Sequence, residues 1–291
     1  MLTIKKLTWE EQPQILPLLG RCFPDHWEQL AQKEQKMPFD EISFAAFEHG
    51  EIAGHCGVMI YEVCGRDGIP RTMGGIASVA VDPRCRNRGI AAALCRHVAD
   101  WAENEPEIIS LPLYTGLFRV YESVSWHKIE IPEAQFARSR RETAPLNWRK
   151  GGELSDTEKS RIAEIYAAMP AFPGKVIRKS GTGFHGWNRI FSEPDFTFAV
   201  TGGQYAVKVS GTLAETGFRS LNGAAGFVEA AVGPNGCDML LEKSMTAGAA
   251  LEYSPSVNDP MHGERVLVRD LKKREFHRKN PDMFFSLVDK F

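Results

Sequence analysis

The sequence lacks the cysteine spacings, nucleotide-binding motifs and long apolar runs that characterise several large classes of protein. Its six cysteines form no CxxC pair and no spacing suited to zinc, so neither a metal site nor a disulfide scaffold is predicted. Neither GxxxxGK[ST] nor GxGxxG occurs, so a P-loop nucleotidase and a dinucleotide-binding fold are both unsupported. No apolar run approaches about 20 residues, so no membrane span is predicted.

A strong charge imbalance is also absent. The formal net charge is −2 over 291 residues, which gives no general reason to expect nucleic acid or an anionic membrane as a partner. The first residues are typical of a strand rather than of a signal peptide, so we expect a cytoplasmic protein. The length favours two domains.

The most informative segment covers residues 75–101. An apolar run from Ile76 to Val81 predicts a buried strand, and apolar residues at three- and four-residue intervals after Gly89 predict a helix that ends near Asn104. The first N–H groups of such a helix have no partner within the helix, and its dipole places partial positive charge there. With Arg86 and Arg88 in the loop, the segment predicts a pyrophosphate site.

The loop also carries a family pattern. Arg86–Ala91 follows [RQ]xxGx[GA] and comes directly after Val81-Asp82-Pro83. This combination resembles the acyl-CoA loop of the GCN5-related N-acetyltransferase (GNAT) superfamily. The resemblance implies an α/β fold class, with a mixed sheet of the α+β type that forms the acyl-CoA N-acyltransferase fold.

The predicted element order around the loop, β-α-α-β-β-β-α-β-α-β, matches that family. Its members are strand 2–6, helix 9–22 with a Thr8–Glu11 capping box, helix 26–36, strands 42–47 and 52–63, the strand ending at residue 81, the loop helix, strand 108–114, helix 117–124 and a closing strand 126–136.

The pattern then recurs. A turn-rich stretch over 139–153 predicts a boundary between a catalytic domain at 1–140 and a second, degenerate copy at 141–291. The copy is expected to contain a helix capped by Ser155, a hairpin over 196–209 and a strand at 226–234 aligned with 75–83. Because no arginine or glycine follows that strand at the loop positions, the copy is expected to bind no CoA and to have a structural or cleft-lining role.

The resemblance implies which residues hold acetyl-CoA, the expected acyl donor. Backbone amides of the loop would bind the pyrophosphate, and the edge of strand 77–81 would pair with the pantetheine arm. The N–H near Val79 or Val81 would face the thioester oxygen. The predicted cofactor-binding residues are Val79, Ala80, Val81, Arg86, Asn87, Arg88, Gly89, Ile90, Ala91 and Ala92; no metal ligand is predicted.

Tyr121 is the predicted general acid. The segment Tyr121–Trp126 resembles the family's YxxxGF segment, in which the tyrosine protonates the departing CoA thiolate. A phenol of ordinary pKa near 10 suits a leaving thiol of pKa about 8.5. The segment departs from the pattern at Ser125, where glycine is usual, and a core aromatic residue is the alternative interpretation of Tyr121.

The general base is left open by the sequence. Candidates are an acidic or histidine side chain, water, or the terminal carboxylate of Phe291; this last option rests on a resemblance to the tandem enhanced-intracellular-survival group of acetyltransferases. The side-chain candidates are Asp25, His26, Asp40, Glu41 and Glu62.

The resulting prediction is an enzyme that moves an acetyl group from acetyl-CoA to a primary amine of a small molecule. A non-catalytic acyl-CoA-binding or regulatory protein and a protein or peptide acetyltransferase are the alternatives. No nucleic-acid or membrane partner is expected, and a homo-oligomer is left open.

Overall fold

The chain forms two seven-stranded mixed sheets with helices packed on them, as a computed structural model shows. The structure describes residues 1–24, 41–129, 134–179, 185–241, 243–259, 261 and 264–271. Over these residues, no helix is both long and apolar enough to cross a membrane. This architecture is the predicted tandem arrangement.

Fourteen strands and six helices make up the described parts of the two layers. The strands are β1 (Leu2–Lys6), β2 (Glu41–Glu48), β3 (Glu51–Cys64), β4 (Pro70–Val81), β5 (Ile108–Thr115), β6 (His127–Lys128), β7 (Gln135–Ser139), β8 (Arg149–Lys150), β9 (Phe196–Val200), β10 (Gln204–Val209), β11 (Thr212–Phe218), β12 (Cys237–Met239), β13 (Leu251–Pro255) and β14 (Arg265–Asp270). The α-helices are α1 (Leu16–Cys22), α2 (Ile90–Glu103), α3 (Phe118–Glu122), α4 (Asp156–Ala168), α5 (Trp187–Ser192) and α6 (Ala224–Val232).

The first sheet has the order β1-β2-β3-β4-β5-β14-β6. Helix α2 packs on one face over Phe44, Cys56 and Val58, and α1 covers the other face over Ala45 and Ala80. β4 and β5 run parallel and pair only where they begin. The C-terminal part of β4 has no partner in β5, and this separation opens the sheet edge toward the loop before α2.

The second sheet repeats this order as β8-β9-β10-β11-β12-β7-β13. The strand next to β5 in the first sheet is β14, from the C-terminal half, whereas the corresponding strand of the second sheet is β7, from the N-terminal half. The halves therefore exchange one strand each. The predicted boundary at residues 140/141 does not separate the two sheets.

Most elements of the first half lie where the sequence predicts them. The hairpin of β2 and β3, the strand ending at Val81 and helix α2 are confirmed. Helix α1 begins later than predicted, because Gln12–Ile15 forms a 3-10 turn that includes Pro13. Helix 26–36 lies outside the described residues. The single closing strand expected over 126–136 is wrong, because β6 pairs with β14 in the first sheet whereas β7 belongs to the second sheet.

The predicted register of the repeat is wrong. Residues 224–232 form helix α6, so the strand expected at 226–234 does not exist. Its apolar run is too short for periodicity to distinguish a buried helix from a buried strand, and both faces of α6 are in fact buried. By position in the sheet, β11 corresponds to β4 and α6 to α2, and Gly223 precedes α6 as Gly89 precedes α2.

Candidate active site

A cavity of about 550 Å³ opens where β4 separates from β5. It lies between the end of β4, the loop and first turn of α2, and helix α3. The lining residues are Cys22, Phe23, Val79, Ala80, Val81, Arg86, Asn87, Gly89, Ile90, Ala91, Ala92, Leu117, Val120 and Tyr121.

Nine of the ten predicted cofactor-binding residues line this one cavity, together with Tyr121. The tenth, Arg88, instead directs its guanidinium to Glu48, with Nη1 2.9 Å from Oε2. The structure thus brings the predicted phosphate loop, strand edge and acid to the same place. That these residues hold acyl-CoA stays a prediction.

The loop before α2 has the backbone geometry that exposes helix N–H groups. Gly89 is the N-cap of α2 with φ +77°, in the left-handed region, and Asn87 also has a positive φ of 62°. Side chains other than glycine adopt this region reluctantly, so Gly89 is required by the turn rather than by crowding. A Cβ at this position would meet no atom within 4 Å.

Asp82 anchors the start of the loop. Its carboxylate is 1% exposed and accepts hydrogen bonds from the N–H and Nε of Arg84 at 2.9 and 3.0 Å, and from Nη2 of Arg21 at 2.9 Å. These donors, the Arg84 side chain first, hold the pKa of Asp82 well below its usual range. The loop is therefore fastened both to itself and to α1.

β4 contains a bulge beside the cavity. His55 pairs with Ala80 and Gly57 with Ala77, so a single β3 residue stands opposite both Ser78 and Val79. Ser78 has φ +51°, which is rare outside glycine. A bulge leaves its extra residue outside the hydrogen-bonded ladder and changes the local direction of the backbone. In β4 this change occurs at Val79, the predicted oxyanion donor.

Tyr121 is 8% exposed and lines the cavity. Burial is the main cause that raises the pKa of its phenol well above the usual value. The neighbouring thiols of Cys95 and Cys56 and the carboxylate of Glu264 act in the same direction, whereas a hydrogen bond with Thr115 opposes them. The phenol is therefore protonated throughout the neutral range.

Ser125 explains the departure from the family pattern. It has φ +73°, in the left-handed region where glycine is the usual residue. The turn that follows α3 therefore keeps the glycine-type backbone, and Trp126 is buried behind Tyr121 with its Nε1 donating to the carbonyl of Leu111 at 2.8 Å. The two rings meet edge to face at 6.4 Å between centroids.

Several cavity residues were not predicted from the sequence. Leu117 and Val120 lie in the turn and helix that carry Tyr121, and this position could have identified them. Cys22 and Phe23 come from the end of α1, where no motif marks them. Glu264 is not among the lining residues, but its charge acts on Tyr121, and it was also missed because strand exchange brings its segment beside β5: the next residue, Arg265, stands opposite Thr115 in the sheet.

Two of the candidate general bases, Glu41 and Glu62, lie in the described residues, and both side chains already have a partner. Glu41 is fully buried 3.3 Å from Nε2 of His55, and the Glu62 carboxylate forms an ion pair with Lys179 at 2.9 Å. The remaining candidates, Asp25, His26, Asp40 and the Phe291 carboxylate, lie outside the described residues. Glu264 is the described carboxylate whose charge acts on Tyr121.

Comparison with known proteins agrees with this geometry. The model of the acetyltransferase (GNAT) family matches residues 12–123, which include the loop and Tyr121. No curated protein sequence matches the chain.

Solved structures match the chain along nearly its whole length. A probable N-acyltransferase from Enterococcus faecalis V583 is 16% identical, with a TM-score of 0.63 over 96% of this chain and 74% of that chain. A GCN5-related N-acetyltransferase from Anabaena variabilis ATCC 29413 is 14% identical, with a TM-score of 0.59 over 93% and 73%. Eis1 from Mycobacterium abscessus is 15% identical, with a TM-score of 0.52 over 93% and 72%. At these identities the likeness to the solved structures concerns the fold, while the match to the model of the acetyltransferase (GNAT) family concerns residues 12–123, the part of the chain that contains the cavity.

Proposed function

We propose that this protein transfers an acetyl group from acetyl-CoA to the primary amine of a small molecule, in the cavity between β4 and α3. The observation that carries the proposal is that the phosphate-type loop, the unpaired edge of β4 and the buried phenol of Tyr121 line one cavity. Each of these parts has a separate task in acyl transfer.

Cofactor binding follows from the loop and the strand edge. The pyrophosphate would accept hydrogen bonds from the N–H groups at the start of α2, whose 14 residues add a helix dipole, with Arg86 supplying charge. The pantetheine arm would extend along Val79–Val81 and pair with the backbone that β5 leaves open.

In this proposal the bulge in β4 would position the reacting carbonyl. When the amine attacks the thioester carbon, the carbonyl oxygen becomes an oxyanion, which a backbone N–H at Val79 would stabilise. Collapse of the tetrahedral intermediate breaks the C–S bond, and the leaving thiolate takes the proton of the Tyr121 phenol. The second proton that the attacking nitrogen must lose to become an amide then restores the phenol. The raised pKa of Tyr121 ensures that this proton is present at neutral pH.

The amine must lose a proton before it attacks, because an alkyl amine is protonated at neutral pH. We assign this step to Glu264. Glu264 precedes Arg265, which stands opposite Thr115 at the end of β5, and its charge acts on Tyr121. A carboxylate there would attract an ammonium group and accept its proton.

The second half supports a small acceptor rather than a peptide. β14 comes from that half and lies in the first sheet directly beside β5. A strand from the second half thus lies next to β5 in the sheet that carries the cavity, and an extended peptide acceptor would need an open groove beside it.

The test is an assay of the purified full chain with acetyl-CoA and a panel of small amines, in which free CoA thiol is measured. We expect amine-dependent CoA release and an acetylated amine detectable by mass spectrometry. Tight CoA binding without release in the presence of any amine would instead favour the non-catalytic acyl-CoA-binding protein, and acetylation of peptides alone would favour the protein acetyltransferase.

A further inference from the structure

A buried acid–imidazole pair lies on the face of the first sheet that α1 covers. The side chains of Glu41 and His55 are both 0% exposed, with Oε1 3.3 Å from Nε2. Ser43 Oγ donates to the same carboxylate oxygen at 3.1 Å, and Gln12 Nε2 donates to the backbone carbonyl of Glu41 at 2.8 Å. The steps proposed above use neither member of the pair.

The absence of a side chain at Gly57 makes room for this carboxylate. A Cβ at that position would lie 2.5 Å from Glu41 Oε2, closer than real Cβ atoms approach. The sheet is thus built around the buried acid, so the pair is a specific arrangement of this core.

The other ring nitrogen of His55 reaches the bulge in β4. Its Nδ1 lies 2.9 Å from the carbonyl oxygen of Ser78, the residue with φ +51°. A carbonyl oxygen only accepts, so Nδ1 carries a proton. Nε2, on the other side of the ring, faces Oε1 of Glu41 at 3.3 Å, so the imidazole bridges the buried carboxylate and the bulge.

A purely stabilising role explains this pair poorly. Buried ion pairs give up hydration, and apolar replacements of similar volume are often as stable. Backbone strain of the kind found at Ser78 persists only where surrounding contacts hold it, and such strain concentrates at functional sites. The His55 imidazole makes such a contact with the Ser78 carbonyl, on the face of the sheet that α1 covers.

We propose that Glu41 and His55 are positioning residues that hold the β4 bulge and thereby direct the Val79 N–H toward the thioester oxygen. The inference rests on the proposed acyl transfer. Glu41 orients the imidazole, the imidazole fixes the Ser78 carbonyl, and the next peptide carries the oxyanion donor. Loss of one oxyanion donor typically lowers kcat about 10²–10³-fold, so a misdirected donor should lower it by about tenfold to a hundredfold.

The experiment uses two substitutions that divide the functions of the imidazole. His55→Asn places an amide N–H near the position of Nδ1 and can keep the bond to Ser78, whereas His55→Gln places its amide nearer Nε2 and keeps only the Glu41 contact. We expect His55→Gln to lower kcat about tenfold to a hundredfold and His55→Asn to lower it about threefold or less. Both should bind CoA, which has no acyl carbonyl, as the wild type does.

A spectroscopic readout reports on the donor itself. With ¹³C-labelled acetyl-CoA bound and no amine present, the thioester C=O stretch should lie lower in the wild type than in solution. In His55→Gln it should return toward the solution value. Tyr205→Phe is the matched control: it removes a buried 2.7 Å hydrogen bond to Glu215 in the second sheet and should lower Tm without changing the stretch or kcat.

The outcomes are distinguishable. If the wild type binds acetyl-CoA but acetylates no amine, the proposed function fails, while the carbonyl stretch still tests the positioning. If His55→Gln keeps both kcat and the carbonyl stretch of the wild type, or loses kcat only in parallel with CoA affinity, the positioning role is overturned. If His55→Gln does not fold, it is combined with Ser78→Gly, which removes the backbone strain at residue 78. The kcat and carbonyl stretch of this double variant are then compared with those of Ser78→Gly alone.

Discussion

Tyr121 shows, at the scale of one residue, how packing sets chemistry. Its side chain lines the cavity together with Leu117 and Val120, and burial is the largest contribution to the raised pKa of its phenol. A phenol with a raised pKa holds its proton more firmly than an exposed tyrosine. It therefore does not ionise before the reaction begins, but the same shift makes transfer of its proton to the leaving thiolate less favourable than from a phenol of ordinary pKa.

We expect Tyr121→Phe to lower kcat about 100-fold or more, because general acid catalysis typically contributes about 10²–10⁴-fold. The affinity for CoA, measured by calorimetry, should stay within about twofold, since the ring still lines the cavity. The raised pKa also predicts that the wild type shows no alkaline loss of kcat between about pH 7 and pH 10 from this group. Full turnover in Tyr121→Phe would remove the tyrosine from the mechanism.

For Glu264→Gln we expect kcat/KM for the amine to fall about 100-fold near neutral pH, with a smaller deficit at pH values where the free amine predominates. The measurement is a pH–rate profile of both proteins. Glu252→Gln, which changes a half-exposed carboxylate in β13 near Arg140, is the matched control and should have the wild-type profile. Equal profiles for Glu264→Gln and the wild type would assign the base to another group.

At the scale of elements, the helix that follows a sheet's fourth strand begins in the same way in both halves. Gly89 and Gly223 are the N-caps of α2 and α6, with φ values of 77° and 75°. Only the first loop carries two arginines near the glycine; in the second, Arg219 forms an ion pair with Glu164. The expectation that the second copy binds no CoA therefore stays a prediction, and it now rests on the loop at residues 219–223.

This pair of glycines provides a matched test. Alanine at either position places a side chain in the left-handed region, so each substitution should lower the free energy of unfolding by about 1 kcal/mol. Gly89→Ala should also weaken CoA binding about tenfold or more, because it shifts the N–H groups that face the pyrophosphate. Gly223→Ala should leave CoA affinity unchanged by calorimetry, and a loss there would place a ligand site in the second copy.

Helix α4 begins with a capping box that carries a pH dependence. Glu158 bonds back to Ser155 and to Arg149, and these contacts, Arg149 first, lower the pKa of Glu158 to about 2. A lowered folded-state pKa contributes stability above the unfolded value near 4.3, and this contribution is lost as pH falls from there toward 2. The stability difference between the wild type and Glu158→Gln, from urea unfolding, should shrink across that interval; a constant difference would contradict it.

At the scale of the whole molecule, the exchange of β7 and β14 makes each sheet depend on both halves of the chain. β14 pairs with β5 along its full length, and β7 stands between β12 and β13. A further contact joins the end of β3 to residues 174–177, where the backbone N–H of Cys64 donates a hydrogen bond to the carbonyl of Lys175 at 2.9 Å. Neither sheet is complete without the other half.

We therefore expect the full chain to unfold in one cooperative thermal transition, with equal calorimetric and van't Hoff enthalpies. Phe198→Ala, in the core of the second sheet and 0% exposed, should lower stability by about 3–5 kcal/mol and move that single transition as a whole. CoA, which binds at the first sheet, should then raise the same transition. Two separable transitions, of which Phe198→Ala moves only one, would show that the halves fold independently.

Local patterns predicted much of the fold and of the candidate site. The strand ending at Val81, the helix after Gly89 and the short helix that carries Tyr121 depend on periodicity and turn chemistry within a few residues, and they lie where predicted. The segment 226–234 failed because a short apolar run does not reveal its period, and the neighbours that decide between helix and strand are distant in sequence.

The sequence by itself predicted the tandem arrangement and the backbone of the loop before α2, because these follow from the order of elements and from backbone demands such as that at Gly89. Only the tertiary structure decided which strands complete each sheet, since β7 and β14 each pair with strands from the other half of the chain. The same exchange brings Glu264 toward Tyr121, and sheet pairing sets His55 against Ser78. Contacts between residues so far apart in the chain depend on the packed fold, which local propensity does not encode.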